Sequence, residues 1–179
     1  MRYFSVVSKI AVAVLFTVSY VLAQEPTTVM VRGDVLKPRE WSISDIKQQF
    51  SNEIQTIKLP AGKDGQQQAA TGVPLIALIK AAELRVEKTP KHYDLTFLVY
   101  IQAHDAYRVF FSLAELMPQG SNQQAWLVWD VDGKPLSGKE APYRLVVLGE
   151  GAHDRQIYGV TSINLVDGTK LANRLNAGQ

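Results

Sequence analysis

Arginines beside predicted strand ends are the side chains with the clearest chemical potential in this sequence. Arg108 follows Tyr107 at the start of a strand otherwise built of large apolar residues, and Arg144 follows Tyr143 at the start of a very apolar segment. Arg155 lies in the glycine-containing loop after that segment. A guanidinium group binds anions through forked hydrogen bonds. On spacing alone the pattern favours solvated strand ends, with an anion-binding pocket at the strand ends as the alternative interpretation.

Metal ligands and nucleophiles are harder to find. The three histidines, His92, His104 and His153, share no ligand spacing with one another or with a pair of carboxylates. His104 and Asp105 lie in a predicted turn, where local backbone hydrogen bonding favours both residue types, and they are weak candidates for metal neighbours. The chain has no cysteine, and no serine stands in a nucleophile-elbow motif. We predict no catalytic residue and no metal site.

The N-terminal segment has the features of a cleavable export signal. Arg2 and Lys9 precede an apolar run that is short for a membrane span, and small residues up to Ala23 provide a cleavage site. Residues 1–23 are therefore predicted to be a signal peptide, and residues 24–179 a single mature domain. An uncleaved anchor is the alternative interpretation. We expect a periplasmic or secreted protein with no membrane span after signal cleavage.

The charge balance excludes several classes of partner. Arg2 and Lys9 account for the difference between 19 basic and 17 acidic residues, so the mature chain is close to neutral. A basic stripe of the kind that a nucleic-acid backbone requires is absent from the sequence, and we predict no nucleic-acid binding. Without cysteine there is also no disulfide framework, so the domain must be stabilised by an ordinary apolar core.

Hydrophobic periodicity predicts a mixed α+β domain made mostly of strands. Helical spacing predicts a short helix from Ser42 or Ser44 to Phe50, and a capping box of Ser112 and Glu115 opens another. The third predicted helix covers 74–85. Strands are predicted at 27–35, 54–59, 94–102, 107–111, 125–131, 143–148 and 157–166, with 143–148 as a central strand. Residues 60–72, which include Gln66 to Gln68, are predicted to form an exposed loop, and the tail from about residue 167 to be weakly structured.

Five segments, in this order along the chain, resemble the oxidoreductase molybdopterin-binding domain, the sulfite-oxidase-type fold, in its short single-domain form. They are VRGDVLKPREWSISDI (31–46), TGVPLIALIKAAEL (71–84), AHDAYRVFFSLAEL (103–116), WDVDGKPL (129–136) and APYRLVVLGEGAHDRQIYGVTSINL (141–165). The resemblance implies a mixed, mostly β architecture with flanking short helices. It also implies that Tyr107, Arg108, Tyr143, Arg144 and Arg155 line or border the cofactor cleft.

The same resemblance bears on activity. In catalytic members of the family a cysteine thiolate binds molybdenum, and the matching positions here are Ile101 to His104, with no cysteine anywhere. Molybdenum cofactor is inserted in the cytoplasm, whereas this signal resembles the general secretory type, whose cargo crosses unfolded. The resemblance therefore implies a non-catalytic protein with no bound cofactor, although molybdopterin is the cofactor that the family would supply.

Three hypotheses about function follow. The first is a binding module that holds a small anionic ligand or an envelope protein partner through the cofactor-type cleft. The second is a molybdopterin-dependent oxidoreductase with non-cysteine metal ligation, in which His104 or Asp105 is the metal neighbour. The third is an accessory subunit of an envelope redox or sensor complex. We favour the binding module.

Overall fold

The computed structural model describes residues 27–59, 65–86, 92–118, 124–149 and 155–178. The predicted signal peptide, together with His153 and the greater part of the loop before Arg155, lies outside the described residues. Within them the strands are β1 (Thr28–Gly33), β2 (Arg39–Ser42), β3 (Gln55–Lys58), β4 (Ala69–Pro74), β5 (Phe97–Ala103), β6 (Arg108–Ser112), β7 (Gln124–Val131), β8 (Lys134–Pro135), β9 (Arg144–Leu148) and β10 (Val160–Asp167). The α-helices are α1 (Ile43–Gln49), α2 (Leu75–Ala82), α3 (Tyr93–Thr96), α4 (Leu113–Leu116) and α5 (Gly168–Ala177), and a 3₁₀ turn covers Gly138–Glu140. The predicted mixed α+β class, mostly strand, is confirmed.

The strands form two sheets in the described part of the chain. The first sheet has the order β2-β1-β10-β5-β6, and every pair in it is antiparallel except β1 with β10. The second sheet has the order β3-β4-β7, and β8 and β9 both pair with β7 beyond β4. None of the described helices is long and apolar enough to cross a membrane.

One apolar cluster joins the two sheets. Val31 of β1 and Ile101 of β5 meet Leu127 of β7 and Leu145 of β9 in this cluster, and all four are fully buried. A second, smaller cluster includes Trp126 and covers the other face of the second sheet. Strand β7 is therefore apolar on both faces, which explains why its sequence lacks the alternation of a half-exposed strand.

The three predicted helices are present, and two of them begin at a side-chain cap. Ser42 caps α1, and its hydroxyl accepts a hydrogen bond from the backbone N–H of Asp45 while the Asp45 carboxylate accepts one from the Ser42 N–H. Ser112 and Glu115 form the same reciprocal pair at α4. These short helices satisfy their first backbone donors within a few residues, so their starts can be predicted from sequence. Helix α2 follows Pro74 as predicted and buries an almost continuous apolar face.

Four details differ from the sequence-based expectations. The predicted loop 60–72 contains the first four of the six residues of β4, because Ala69 to Gly72 complete the sheet between β3 and β7. The first residues of the predicted strand 94–102 belong to α3, where the Thr96 hydroxyl donates to the Tyr93 carbonyl. Strand β9 pairs with β7 on one side only, although a backbone bridge between Leu145 and Ile157 covers part of its outer edge.

The fourth difference is the tail after Asp167, which forms α5 rather than a weakly structured segment. The Asp167 side chain caps this helix by accepting from the Thr169 N–H. Asp34, at the end of β1, accepts from the Asp167 N–H at 2.9 Å and from the Lys170 ammonium at 3.0 Å. The polar composition that indicated a loop belongs to a helix whose residues after its first turn are exposed.

Candidate functional site

A cleft of about 480 Å³ opens beside the start of β9, and we call it the arginine cleft. The β7–β8 turn, the 3₁₀ turn and β9 contribute its walls. Three basic residues line it, namely Lys134, Lys139 and Arg144, together with the acidic residues Asp132 and Glu140. Positive side chains therefore outnumber negative ones by one in the lining of this cleft.

Arg144 is the most constrained of these basic side chains. Its Nη2 donates to the Gln156 Oε1 at 2.7 Å, and the guanidinium carbon lies 4.7 Å from the centre of the Tyr158 ring. The Arg144 Nε is buried and has no hydrogen-bond partner among the described residues. A buried donor without a partner costs about 1–3 kcal/mol. The Arg144 side chain is therefore held in place through Nη2, while its Nε–H can still donate a hydrogen bond.

The acidic side chain of Asp132 is engaged in the β7–β8 turn. Its Oδ1 accepts from the Ala69 N–H at 2.9 Å, and its Oδ2 accepts from the Gln68 side chain at 3.4 Å. These bonds join the turn to the start of β4 and direct the carboxylate toward one backbone donor and one side-chain donor. Gln68 also lines the arginine cleft, so the exposed glutamine-rich segment contributes to its wall.

A second, smaller cleft of about 220 Å³ adjoins the first, and we call it the histidine cleft. His104, Tyr107 and Tyr158 contribute ring side chains to its lining. Lys139 lines both clefts, and Gln156 of the histidine cleft is the residue that holds the Arg144 guanidinium. The two clefts are therefore neighbours that share Lys139 and are linked by the bond between Gln156 and Arg144.

His104 joins the turn at β5 to the 3₁₀ turn. Its Nε2 lies 3.1 Å from the Lys139 carbonyl oxygen and must be the donor, because a carbonyl oxygen only accepts. Its backbone N–H donates to the Gly159 carbonyl at 3.0 Å. Gly159 has a φ of +63°, and a Cβ at this position would overlap the imidazole ring. Glycine is thus required for the close approach that positions His104.

Asp105, the other weak metal candidate, accepts a hydrogen bond from the Tyr107 N–H at 3.0 Å. This is the local backbone bond that the turn-based interpretation predicts. Among the described residues no group of three or more histidine, aspartate or glutamate side chains lies close enough to hold a metal ion.

Three of the arginine and tyrosine residues predicted to bind a cofactor lie outside both clefts as described. Tyr143 is fully buried in the core, where its hydroxyl donates to the Trp41 carbonyl at 3.1 Å. Burial, together with the negative charge of Asp45, raises the pKa of the Tyr143 phenol above its ordinary value. Arg108 is exposed, and its Nε donates to the Gln102 side chain at 3.0 Å.

Arg155 is the third of these residues, and it lies against α4 and β6. One of its guanidinium nitrogens is 3.6 Å from the Glu115 carboxylate, and the guanidinium carbon is 4.9 Å from the centre of the Phe111 ring. The structure thus brings Arg144, Tyr107, His104 and Asp105 together and leaves Arg155 elsewhere. Its role in a binding site stays a prediction.

The cleft residues that the sequence did not indicate are Lys134, Lys139, Gln156 and Tyr158. Lys134 follows the Asp132-Gly133 turn, so its position beside the hairpin could be inferred, although its place in the same cleft as Arg144 could not. Lys139 and Tyr158 are far from His104 in sequence and reach the site through the 3₁₀ turn and the segment before β10.

The donor set does not fit a molybdenum centre of the family's type. Ile101 and Ala103 are buried and apolar, and the Gln102 side chain is bonded to Arg108. His104 faces the Lys139 carbonyl oxygen. A soft thiolate ligand is missing from the whole sequence, and neither Ile101 nor Ala103 can substitute for it.

Comparison with known proteins gives no further constraint. The sequence matches no protein-family model and no curated protein. The functional argument therefore rests on the geometry of the two clefts.

Proposed function

We propose that this chain is an exported, non-catalytic protein, similar to molybdopterin-binding domains, that binds a small anionic ligand through the arginine cleft. The observation that supports this most directly is the Arg144 guanidinium, which lines the cleft, stacks on Tyr158 and has a buried Nε with no partner among the described residues. A ligand oxygen that reached this group would form a charge-assisted hydrogen bond.

The surroundings of Arg144 favour an anion over a cation. Lys134 and Lys139 add positive charge to the lining, while the Asp132 carboxylate is bonded to a backbone N–H. Gln156 and Tyr158 fix the orientation of the guanidinium before a ligand arrives, and a preorganised group loses less entropy on binding. Small-molecule sites commonly have volumes of about 300–1,000 Å³, a range that includes the arginine cleft.

The non-catalytic assignment rests on the residue types available. The sequence has no cysteine, and His104 donates to a backbone carbonyl, so the imidazole has a structural partner. The proposed location outside the cytoplasm rests on residues 1–23 alone. An envelope protein partner is compatible with this cleft, although no described contact favours it over a small anion.

The test is calorimetric titration of the mature chain with inorganic phosphate, and separately with sulfate, at constant ionic strength. We expect saturable binding that Arg144→Gln weakens at least tenfold, a loss of about 1.4 kcal/mol in binding free energy. Arg144→Lys retains the charge without the planar fork, so it should lose part of the affinity. The matched control is Arg85→Gln, because Arg85 is exposed and lies outside both clefts.

Two results would contradict the proposal. One is a wild-type chain that binds neither anion under these conditions. The other is a chain in which Arg144→Gln and Arg85→Gln reduce affinity equally, because such a loss would report overall charge rather than a site.

A further inference from the structure

A third cleft, unrelated to the arginine and histidine clefts, opens between α2, α3 and α4, and we call it the helix cleft. Its volume is about 500 Å³. Ile79 of α2 and Leu113 of α4 are both almost fully buried and line its interior. It shares no lining residue with the other two clefts. Any ligand that it accommodates is therefore separate from the proposed anion.

The core of the domain is open to solvent at this cleft. Eight apolar side chains pack against the main cluster while staying only partly buried, and five of them line the helix cleft. These five are Ile76, Leu84, Val86, Tyr93 and Met117. Concentrated apolar exposure of this kind is typical of ligand-binding grooves. The lining is thus suited to an apolar molecule.

The charged residues at the rim of the helix cleft indicate the charge of the head group that an apolar ligand would carry. Lys80 and Glu83 are the charged residues of the lining. The Glu83 carboxylate forms an ion pair with Lys37, so its charge is compensated. Lys80 is exposed in the last turn of α2 and forms no ion pair within the described chain. Among the described residues of this lining, the uncompensated charge is therefore positive.

From this combination we infer that the helix cleft binds an amphiphile with an apolar chain and one anionic head group, such as an alkyl carboxylate. The chain packs against the partly buried apolar side chains, and the carboxylate lies at Lys80. Each methylene group removed from water contributes about 0.8 kcal/mol, so affinity should rise about fifteenfold from octanoate to decanoate.

The experiment is calorimetric titration of the mature chain with octanoate, decanoate and decyltrimethylammonium below their micellar concentrations. We expect decanoate to bind more tightly than octanoate by the factor given above. Decyltrimethylammonium has the same chain with a cationic head, and it should bind at least tenfold more weakly than decanoate. Failure of decanoate to bind, or equal binding of the two decyl compounds, would overturn the inference.

Two variants locate the binding. Lys80→Glu should reverse the preference between the two decyl compounds, whereas the matched control Lys58→Glu, an exposed lysine on β3, should leave it unchanged. Val86→Trp should block the cleft and abolish binding of both compounds. Should Val86→Trp fail to fold by circular dichroism, Ile76→Trp serves as the second blocking variant. Wild-type affinity in a folded blocking variant would refute the site, and phosphate binding should stay unchanged throughout.

Discussion

Replacing Tyr143 by phenylalanine distinguishes a structural tyrosine from a ligand-binding one. The sequence places Tyr143 beside Arg144 in a predicted cofactor site, whereas in the structure its ring is fully buried. Its hydroxyl donates to the Trp41 carbonyl oxygen at 3.1 Å and lines neither the arginine nor the histidine cleft. Tyr143→Phe removes this one hydrogen bond and retains the ring in the core.

The expected loss of stability follows from that bond. A net intramolecular hydrogen bond contributes about 1 kcal/mol, and a buried acceptor left without its partner adds a desolvation cost, so we expect a loss of about 1–2 kcal/mol. In a domain of this size a loss of 1 kcal/mol lowers the melting temperature by about 2–4 °C. Phosphate affinity should stay within about twofold of wild type, since Arg144 and its contacts with Gln156 and Tyr158 are unchanged.

The dependence on pH gives a second measurement of the same group. Burial raises the pKa of Tyr143 in the folded protein above its ordinary value of 10.0. The unfolded chain then releases the phenolic proton first as the pH rises, so the stabilisation is complete below pH 10 and declines above it. Tyr143→Phe lacks this titration. The stability difference between wild type and variant should therefore shrink as the pH rises beyond 10.

Urea unfolding monitored by tryptophan fluorescence, together with phosphate calorimetry, measures both properties in the same preparations. The result that would refute this reasoning is a Tyr143→Phe variant with wild-type stability and at least tenfold weaker phosphate binding. That outcome would show that Tyr143 belongs to the ligand site, as the sequence analysis predicted.

Two further predictions concern the C-terminal end of β1. Burial is the largest single influence on the Asp34 carboxyl and raises its pKa, but hydrogen bonds from the Asp167 N–H and the Lys170 ammonium outweigh it and hold the pKa below 3.8. The stabilisation is therefore present at neutral pH and lost as the pH falls through the folded pKa. Asp34→Asn should accelerate amide exchange in the first turn of α5 about fivefold at pH 7, roughly 1 kcal/mol, and the effect should become smaller as the pH falls below 3.8. An effect that does not change with pH would contradict this. Gly33→Ala should lower the free energy of unfolding in urea by at least about 3 kcal/mol, because φ is +105° and the new Cβ would overlap the backbone of Leu165 in β10. The control Gly133→Ala, with positive φ and open space around it, should lower it by about 1 kcal/mol. Similar losses in the two variants would show that the contact with β10 is relaxed at little cost.

The elements that could be predicted from sequence are those whose determinants are local. Ser42 and Ser112 predict the starts of two helices, because the capping partner of each lies three residues later in the sequence. Strand β4 has no such signal. Ala70 and Gly72 are poor strand formers, and β4 exists because β3 and β7 pair with it from either side. A Cβ at Gly72 would overlap the Leu127 carbonyl of β7. Glycine is needed here because of a tertiary contact, and local sequence patterns do not reveal such a contact.

The candidate site was predictable in part for a similar reason. Arg144 stands out as an arginine beside an apolar strand, and the structure places it in a cleft. Grouping it with Tyr143 overlooked strand geometry, because successive side chains point to opposite faces. Because Tyr143 and Arg144 are adjacent in an extended segment, this alternation predicts that one of them faces the core and the other faces the cleft. Lys139 could not be predicted, since the 3₁₀ turn and the His104 contact together bring it to the site.

The position of β10 has a consequence for how the chain reaches its final form. This strand lies between β1 and β5 in the middle of the first sheet, yet it is the last strand in chain order among the described residues. During synthesis β1 and β5 emerge well before the partner that joins them, so the sheet stays divided until Val160–Asp167 is available. Pairings across such long sequence separations form slowly. In a nascent chain of this topology the second sheet, whose last strand is β9, is available for folding before the first sheet can be completed.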